Sequence, residues 1–228
     1  MEVSVLEAAE ALGISARRVR ALIDSGQIAA RRSGRRVWLV DLDAARSARR
    51  RPRSAGQPIS SRSAWAILDL AEGRRPHGLS ASEIGRAKQR VRRLADLRPG
   101  ALASRARVHR LRAHPGVLKR LGEDPALVLG GSSAAGRHGA DLIAVDRVEA
   151  YIRPEDLAAF VSRYALRQAP DGRENVLIRV PSEWQFPSGV RDAPVAVVAV
   201  DLIDAGDERS VRAGRKLLGR ILEEGEAL

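Results

Sequence analysis

The 228-residue sequence predicts an α+β chain, with a small N-terminal unit of two helices and a hairpin, a basic helical middle segment, and a C-terminal α/β domain with a mixed sheet. Three observations predict it. Within the first forty residues the apolar spacing changes from helical to extended. After Ala126 short extended apolar runs alternate with helical stretches, and the charge divides the chain in two. Residues 1–120 carry 27 Lys and Arg against 10 Asp and Glu, whereas residues 121–228 carry 13 against 18. A coding bias toward Arg accounts for the presence of only three lysines, Lys88, Lys119 and Lys216, but not for that asymmetry, since both parts come from one gene. Apolar residues make up 44% of the chain, enough for a core, which excludes a wholly disordered basic tail.

Composition also bounds the chemistry. The longest apolar run, Ala193 to Val200 with Pro194 inside it, is far short of the roughly 18 residues a membrane span needs. The opening MEVSVLEAAEAL carries acid rather than a basic leader, so no membrane contact and a cytoplasmic location are expected. With no cysteine, and four histidines that form no HExxH pairing, neither a catalytic thiolate nor a metal or other cofactor is expected. A surface rich in arginine releases counterions from a polyanion, and the guanidinium fork matches phosphate oxygens and guanine edges. Double-stranded DNA is therefore the first candidate partner.

Along the chain, Ser4-Val5-Leu6-Glu7 reads as a capping box that opens a helix with Leu6, Ala9 and Leu12 on one face. Gly13 ends it in a left-handed turn. Ser15 caps a second helix whose apolar set is Val19, Leu22 and Ile23, leaving Arg17, Arg18, Ala21 and Asp24 outward and Arg20 at the margin. Two short helices joined by a glycine turn make a helix-turn-helix. Ile28 to Arg32 and Arg35 to Val40 then read as a hairpin with a two-residue turn at Ser33-Gly34. Arg31, Arg32, Arg35 and Arg36 flank its tip, facing solvent or phosphate because unpaired guanidinium groups are costly to bury. Asp41-Leu42-Asp43 starts a short closing helix through Ala44 and Ala45.

Val3 to Ala9, Leu12-Gly13-Ile14-Ser15, Val19, Leu22-Ile23, Ser25-Gly26-Gln27-Ile28, Arg35-Arg36 and Asp41-Leu42 resemble the excisionase/MerR-type winged helix-turn-helix. The resemblance implies a winged helix-turn-helix DNA-binding domain over residues 1–46. In it Arg17, Arg18 and Arg20 on the second helix read the major groove, while Arg31, Arg32, Arg35 and Arg36 on the wing clamp the backbone or minor groove. Residues 47–62, rich in Arg, Pro and Ser without apolar periodicity, read as a linker.

Residues 63–120 form the basic helical segment. Ser63 to Ala71 is a helix burying Trp65 and Leu68, and Ser80-Ala81-Ser82-Glu83 is a second capping box ahead of Ile84, Ala87, Val91 and Leu94. Arg86, Arg90 and Arg93 decorate the other side, and a solvated helix face is favoured there over additional DNA contacts. A further helix is expected through Val108 and Leu111. Residues 121–228 form the α/β domain. Leu127 to Leu129, Val148 to Ile152, Asn175 to Val180 and Val195 to Val200 are its strands, with Ser132 to His138, Pro154 to Tyr164 and Glu208 to Glu224 as helical pieces.

Gly130-Gly131-Ser132 followed by Asp146 and Glu149 is similar to a nucleotidyltransferase layout, but acids at i and i+3 on a strand do not point to one metal. Ser132, His138 and Asp141 lie too locally for a triad. No catalytic residue is assigned, and the chain is expected not to be an enzyme.

Leu129 to Ala135, His138-Gly139, Asn175-Val176, Ala193-Pro194, Asp201-Leu202, Asp207-Glu208-Arg209, Ala213 and Leu217-Leu218 resemble the C-terminal domain of AbiEi-type antitoxins. That resemblance implies a bacterial regulator that represses its own operon and neutralises a nucleotidyltransferase-like toxin. A nucleotidyltransferase-like enzyme and an excisionase-like DNA architectural protein are the alternatives. The oligomeric state stays open, a dimer on DNA included.

Overall fold

The computed structural model describes residues 2–24, 28, 30–33, 37–41, 59–142, 146–169 and 172–226. The chain divides into two compact units, Met1–Gly56 and Gln57–Leu228.

The first unit runs β1 (Glu2–Ser4), α1 (Val5–Leu12), α2 (Ala16–Asp24), β2 (Ala30–Ser33) and β3 (Val37–Asp41). The strands form an antiparallel sheet in the order β1-β3-β2, with Val40 opposite both Val3 and Ala30. One core holds it together, made of Val5, Ala8, Ala9, Leu12, Val19, Leu22, Ile23, Ile28 and Val40. The extended start at Glu2 has no counterpart in the sequence reading, because three residues are too few to show a period. Three expectations change. Leu6, expected on one face with Ala9 and Leu12, is 71% exposed, and Val5 and Ala8 join Ala9 and Leu12 in the core instead. Ser33 pairs with Val37 as part of β2, so it is not in a two-residue turn at Ser33-Gly34; residues 34–36 lie outside the described residues. Asp41, expected to open a helix, ends β3 instead. Residues 42–45 of that helix and residues 47–58 of the linker lie outside the described residues.

The second unit begins with two capped helices, α3 (Ser61–Ala71) and α4 (Ala81–Val91). Then follow β4 (Arg107–Arg112), α5 (Leu118–Gly122), β5 (Val128–Leu129), α6 (Gly131–Ala135), β6 (Val148–Tyr151), α7 (Leu157–Arg163), β7 (Arg167–Gln168), β8 (Val176–Val180), α8 (Val195–Ala205) and α9 (Glu208–Glu226). The five strands lie in the order β5-β6-β8-β4-β7; β6 and β8 are parallel and the other pairs antiparallel. The sheet is mixed, in an α+β architecture. Among the described residues no helix is long and apolar enough to cross a membrane.

Three readings of this unit are corrected. The stretch through Val108 and Leu111 is strand β4, not a helix. Val108 is 42% exposed while Leu111 is buried, the opposite-face arrangement that odd spacing gives in a strand. Val195 to Val200 is the first half of helix α8, not a strand. Every residue from Ala196 to Ile203 is at most 1% exposed, and a helix buried on all sides has no polar face to betray its period. Finally, the charge boundary at residue 120 does not divide the packing. β4 sits between β8 and β7, and one continuous core reaches from Ala64 to Ile221.

Trp65, Tyr151 and Phe186 meet edge to face inside that core at centroid separations of 5.1–6.0 Å. The Trp65 indole N–H donates to the Arg105 carbonyl at 2.9 Å. The Trp65–Tyr151 ring contact joins α3 of the basic stretch to strand β6 of the acidic-leaning one.

Candidate nucleic-acid interface

In the first unit, local chemistry fixes the angle between α1 and α2. Ser4 N–H donates to Glu7 Oε2 at 2.7 Å and Glu7 N–H to Ser4 Oγ at 3.3 Å, closing the expected capping box. The Ser4 backbone, and then its hydroxyl, hold the Glu7 carboxyl below its usual range. At the other end Gly13 takes φ 59°, ψ 42°, and Ile14 N–H reaches back to the Ala9 carbonyl at 3.0 Å while Gly13 N–H bonds Glu10. This 6→1 and 5→2 pair stops α1 and turns the chain into α2 within three residues. Val19 N–H then bonds the Ser15 carbonyl at 3.1 Å.

α2 buries Val19, Leu22 and Ile23 against α1 and the sheet, which leaves Arg17 and Arg20 exposed. Three residues apart, they share one side of the helix, with Arg20 also three residues from the buried Ile23 and so at the edge of the apolar face. Arg18 lies between them on the same helix, its side chain outside the described residues. The backbones of Arg31 and Arg32 occupy β2 opposite Leu39 and Trp38, their side chains likewise outside the described residues. Arg35 and Arg36 lie outside the described residues. The structure thus brings Arg17 and Arg20 together on one exposed helical surface.

The constellations in the second unit fall out differently. Asp146 is exposed ahead of β6 whereas Glu149 is 2% exposed within it, so the two acids do not face one ion. Ser132 Oγ donates to Glu149 Oε1 at 2.8 Å, and His138 Nε2 lies 2.9 Å from the Ala193 carbonyl. Ser132, His138 and Asp141 therefore make no relay. Among the described residues no group of three His, Asp or Glu converges as metal ligands.

Instead Glu149 belongs to a buried ionic cluster whose other members the sequence reading did not assemble. Asp201, in the middle of α8, receives the Arg105 guanidinium at 2.6 Å and the Tyr151 hydroxyl at 2.7 Å on Oδ1, and the Gly131 N–H at 3.1 Å on Oδ2. Arg179 Nε lies 3.1 Å from the same Oδ1, and its Nη1 pairs with Glu149 at 3.1 Å. Arg105 also binds Asp204 at 2.7 Å. Burial alone depresses the Arg105 guanidinium, but Tyr151, Asp204 and Asp201 outweigh it and hold it well above its usual value. Burial, and then the Asp201 charge, push the Tyr151 phenol upward. Gly130 and Gly131 are where the chain crosses this cluster. A Cβ at Gly130 comes within 2.7 Å of Asp201 Oδ2, and Gly131 holds φ +47° against Glu149. The one sequence signal was Asp201 itself, a lone charge inside VAVVAVDLI that demands a partner.

No curated protein and no solved structure matches the chain. Residues 3–44 match the family model described as a helix-turn-helix domain. With the α1–Gly13–α2 geometry, that match identifies the N-terminal unit of this chain as a helix-turn-helix domain.

Proposed function

We propose that the protein is a sequence-specific bacterial DNA-binding transcriptional regulator in which α2 is the recognition helix and β2–β3 the wing. The observation that carries this reading is the surface of α2. In a domain matched as helix-turn-helix, its apolar side is consumed by the core while Arg17 and Arg20 stand exposed on one side. Arg17, Arg18 and Arg20 are the base readers, and Arg31, Arg32, Arg35 and Arg36 the phosphate clamps. The partner is double-stranded DNA.

The finer part of the proposal is an autorepressing antitoxin of a toxin-antitoxin pair, with a nucleotidyltransferase-like toxin as second partner and no catalysis of its own. It rests on the resemblance of residues 129–218 to AbiEi-type antitoxins. The reading without catalysis is supported by Glu149, which is buried and paired with Arg179 while Asp146 stands exposed ahead of β6.

The test is fluorescence anisotropy of the full chain on its own upstream region and on a scrambled duplex. Arg17→Ala is expected to lose about 1–3 kcal/mol of discrimination at one base position. Arg35→Ala is expected to weaken both duplexes alike and to reduce the salt slope by about 1. Wild-type binding by both variants overturns the groove assignment. The antitoxin role fails if co-expression does not relieve the toxicity of a neighbouring nucleotidyltransferase-like gene product.

A further inference from the structure

The second unit carries a basic surface that its own fold does not use. Between Gly73 and Gly100 the sequence holds eight arginines and lysines against two acids, Glu83 and Asp96. Glu83 is engaged by the cap of α4. It accepts from the Ser80 N–H at 2.8 Å and the Ser80 hydroxyl at 2.7 Å, with Arg62 and Arg86 acting on it only as weaker charges. Arg86, Lys88, Arg90, Arg92 and Arg93 are all exposed, and none of their side chains forms a hydrogen bond or ion pair among the described residues. Other arginines of the same unit behave differently. Arg74, Arg137, Arg163 and Arg212 each pair with a carboxylate at 2.6–3.1 Å, and Arg191 caps backbone carbonyls. Arg98, Arg167 and Arg215 are exposed without a carboxylate partner among the described residues as well, so what distinguishes this group is its clustering along one helix.

The cations are also arranged. Arg86 and Arg90 lie one helical turn apart, Arg93 follows three residues later, and together with Gln89 they line a hollow of about 230 Å³. At 1.5 Å of rise per residue Arg86 and Arg90 stand about 6 Å apart along α4, with Arg93 two residues past its end, a span on the order of two to three phosphates of one B-DNA strand. Arginine forks and a carboxamide around a shallow concavity suit phosphate oxygens.

We infer that Arg86, Arg90 and Arg93, with Gln89, form a second DNA-backbone site in the second unit, which holds the phosphates of duplex flanking the sequence read by α2. This rests on the DNA-binding reading of the first unit and adds a contact to it. The site reads no bases, so it raises affinity for all duplexes and leaves discrimination to α2.

The experiment uses the full chain and measures affinity against sodium chloride concentration on the upstream duplex and on a scrambled duplex of equal length. The triple variant Arg86→Gln, Arg90→Gln, Arg93→Gln is expected to bind both more weakly and to lower the salt slope by about 2–3, as three lost phosphate contacts require. The ratio between the two duplexes is expected to stay at its wild-type value, and the triple Lys variant at the same positions to restore most of the slope. Circular dichroism of both variants is expected to match the wild type, since the side chains touch no core. An unchanged slope in the triple Gln variant while the wild type binds overturns the second site and leaves the first-unit reading standing. An unchanged slope on duplex with a lost affinity for structured RNA overturns the DNA assignment. Absence of salt-sensitive duplex binding by the wild type overturns both.

Discussion

Asp201 sits at the centre of α8 with no exposed surface, and both its oxygens are occupied by donors from Arg105, Tyr151 and the Gly131 backbone. Breaking a buried charge pair from one side is far more damaging than deleting it whole, because the remaining ion stays desolvated. Asp201→Asn is therefore expected to destabilise the second unit by about 3–5 kcal/mol, since it leaves Arg105 and Arg179 under-compensated. Tyr151→Phe removes one donor to an ionised acceptor and is expected to cost about 1.5–3 kcal/mol. Urea denaturation measures both, and Tyr151→Phe emerging as the more costly of the two would contradict the charge-centred account. In the first unit the decisive residue is Gly13. Its φ of 59° and its open surroundings mean that backbone conformation, rather than space, demands glycine there. Such a position was legible in the sequence because the requirement is local. Asp201 was visible only as an anomaly in an apolar run, since its partners come from residues 22 to 96 positions away.

At the level of elements, α8 and α9 show how closely two helices can be drawn together by one missing side chain. A Cβ on Gly214 meets the Ala199 carbonyl oxygen at 2.5 Å, a backbone atom that cannot rotate aside, whereas a Cβ on Gly219 of the same helix meets nothing within 4 Å. The two substitutions are expected to have opposite signs. Gly219→Ala gains about 0.5–1 kcal/mol of helix stability, while Gly214→Ala loses about 1–3 kcal/mol through overpacking. Thermal melts of the pair check the close approach directly. A second element-level device is Asp124, which ties the loop before β5 to the end of α7. It accepts from Ala126 N–H on Oδ1, and from the Arg163 guanidinium and the Tyr164 hydroxyl on Oδ2, each at 2.9 Å. Burial pushes its carboxyl up, but those three donors outweigh burial and hold it below its usual 3.8. A depressed carboxyl contributes stability that is present above its unfolded value and is lost as pH falls through the folded one. Asp124→Asn is thus expected to lower stability at pH 7 and to flatten the loss that sets in as pH falls below the usual 3.8. Parallel acid limbs for the wild type and the variant in a pH series of melts contradict this.

For the whole molecule, charge and packing draw different boundaries. Net charge changes sign near residue 120, yet the compact unit begins at Gln57, because β4 supplies a central strand and Trp65, Leu68, Leu102 and Leu111 fill the same core as Val198 and Leu218. A fragment of residues 57–228 is expected to unfold in one cooperative transition, and a fragment of residues 121–228 to lack one, since it exposes the β8 edge and loses Trp65, Leu68, Leu102 and Leu111 from the core. Cooperative melting of the shorter fragment contradicts the single-core description. The basic surface of α4 accordingly belongs to a large folded unit rather than to a basic segment of its own, which is what makes its unpaired arginines informative.

The sequence by itself determined the helix-turn-helix and the capped helices: Ser4 with Glu7, Gly13, Ser80 with Glu83, and the i, i+3, i+4 set Val19, Leu22, Ile23 act within a few residues of one another. It also determined the excess of arginine and hence the class of partner proposed. The tertiary structure alone decided that Arg107–Arg112 is a strand, that Val195–Ala205 is a helix, that the sheet runs β5-β6-β8-β4-β7, and that Arg105, Arg179, Glu149 and Asp201 meet. Short apolar runs carry too little periodicity to choose between helix and strand, so the choice falls to partners far along the chain, whose contacts form only once the core has closed.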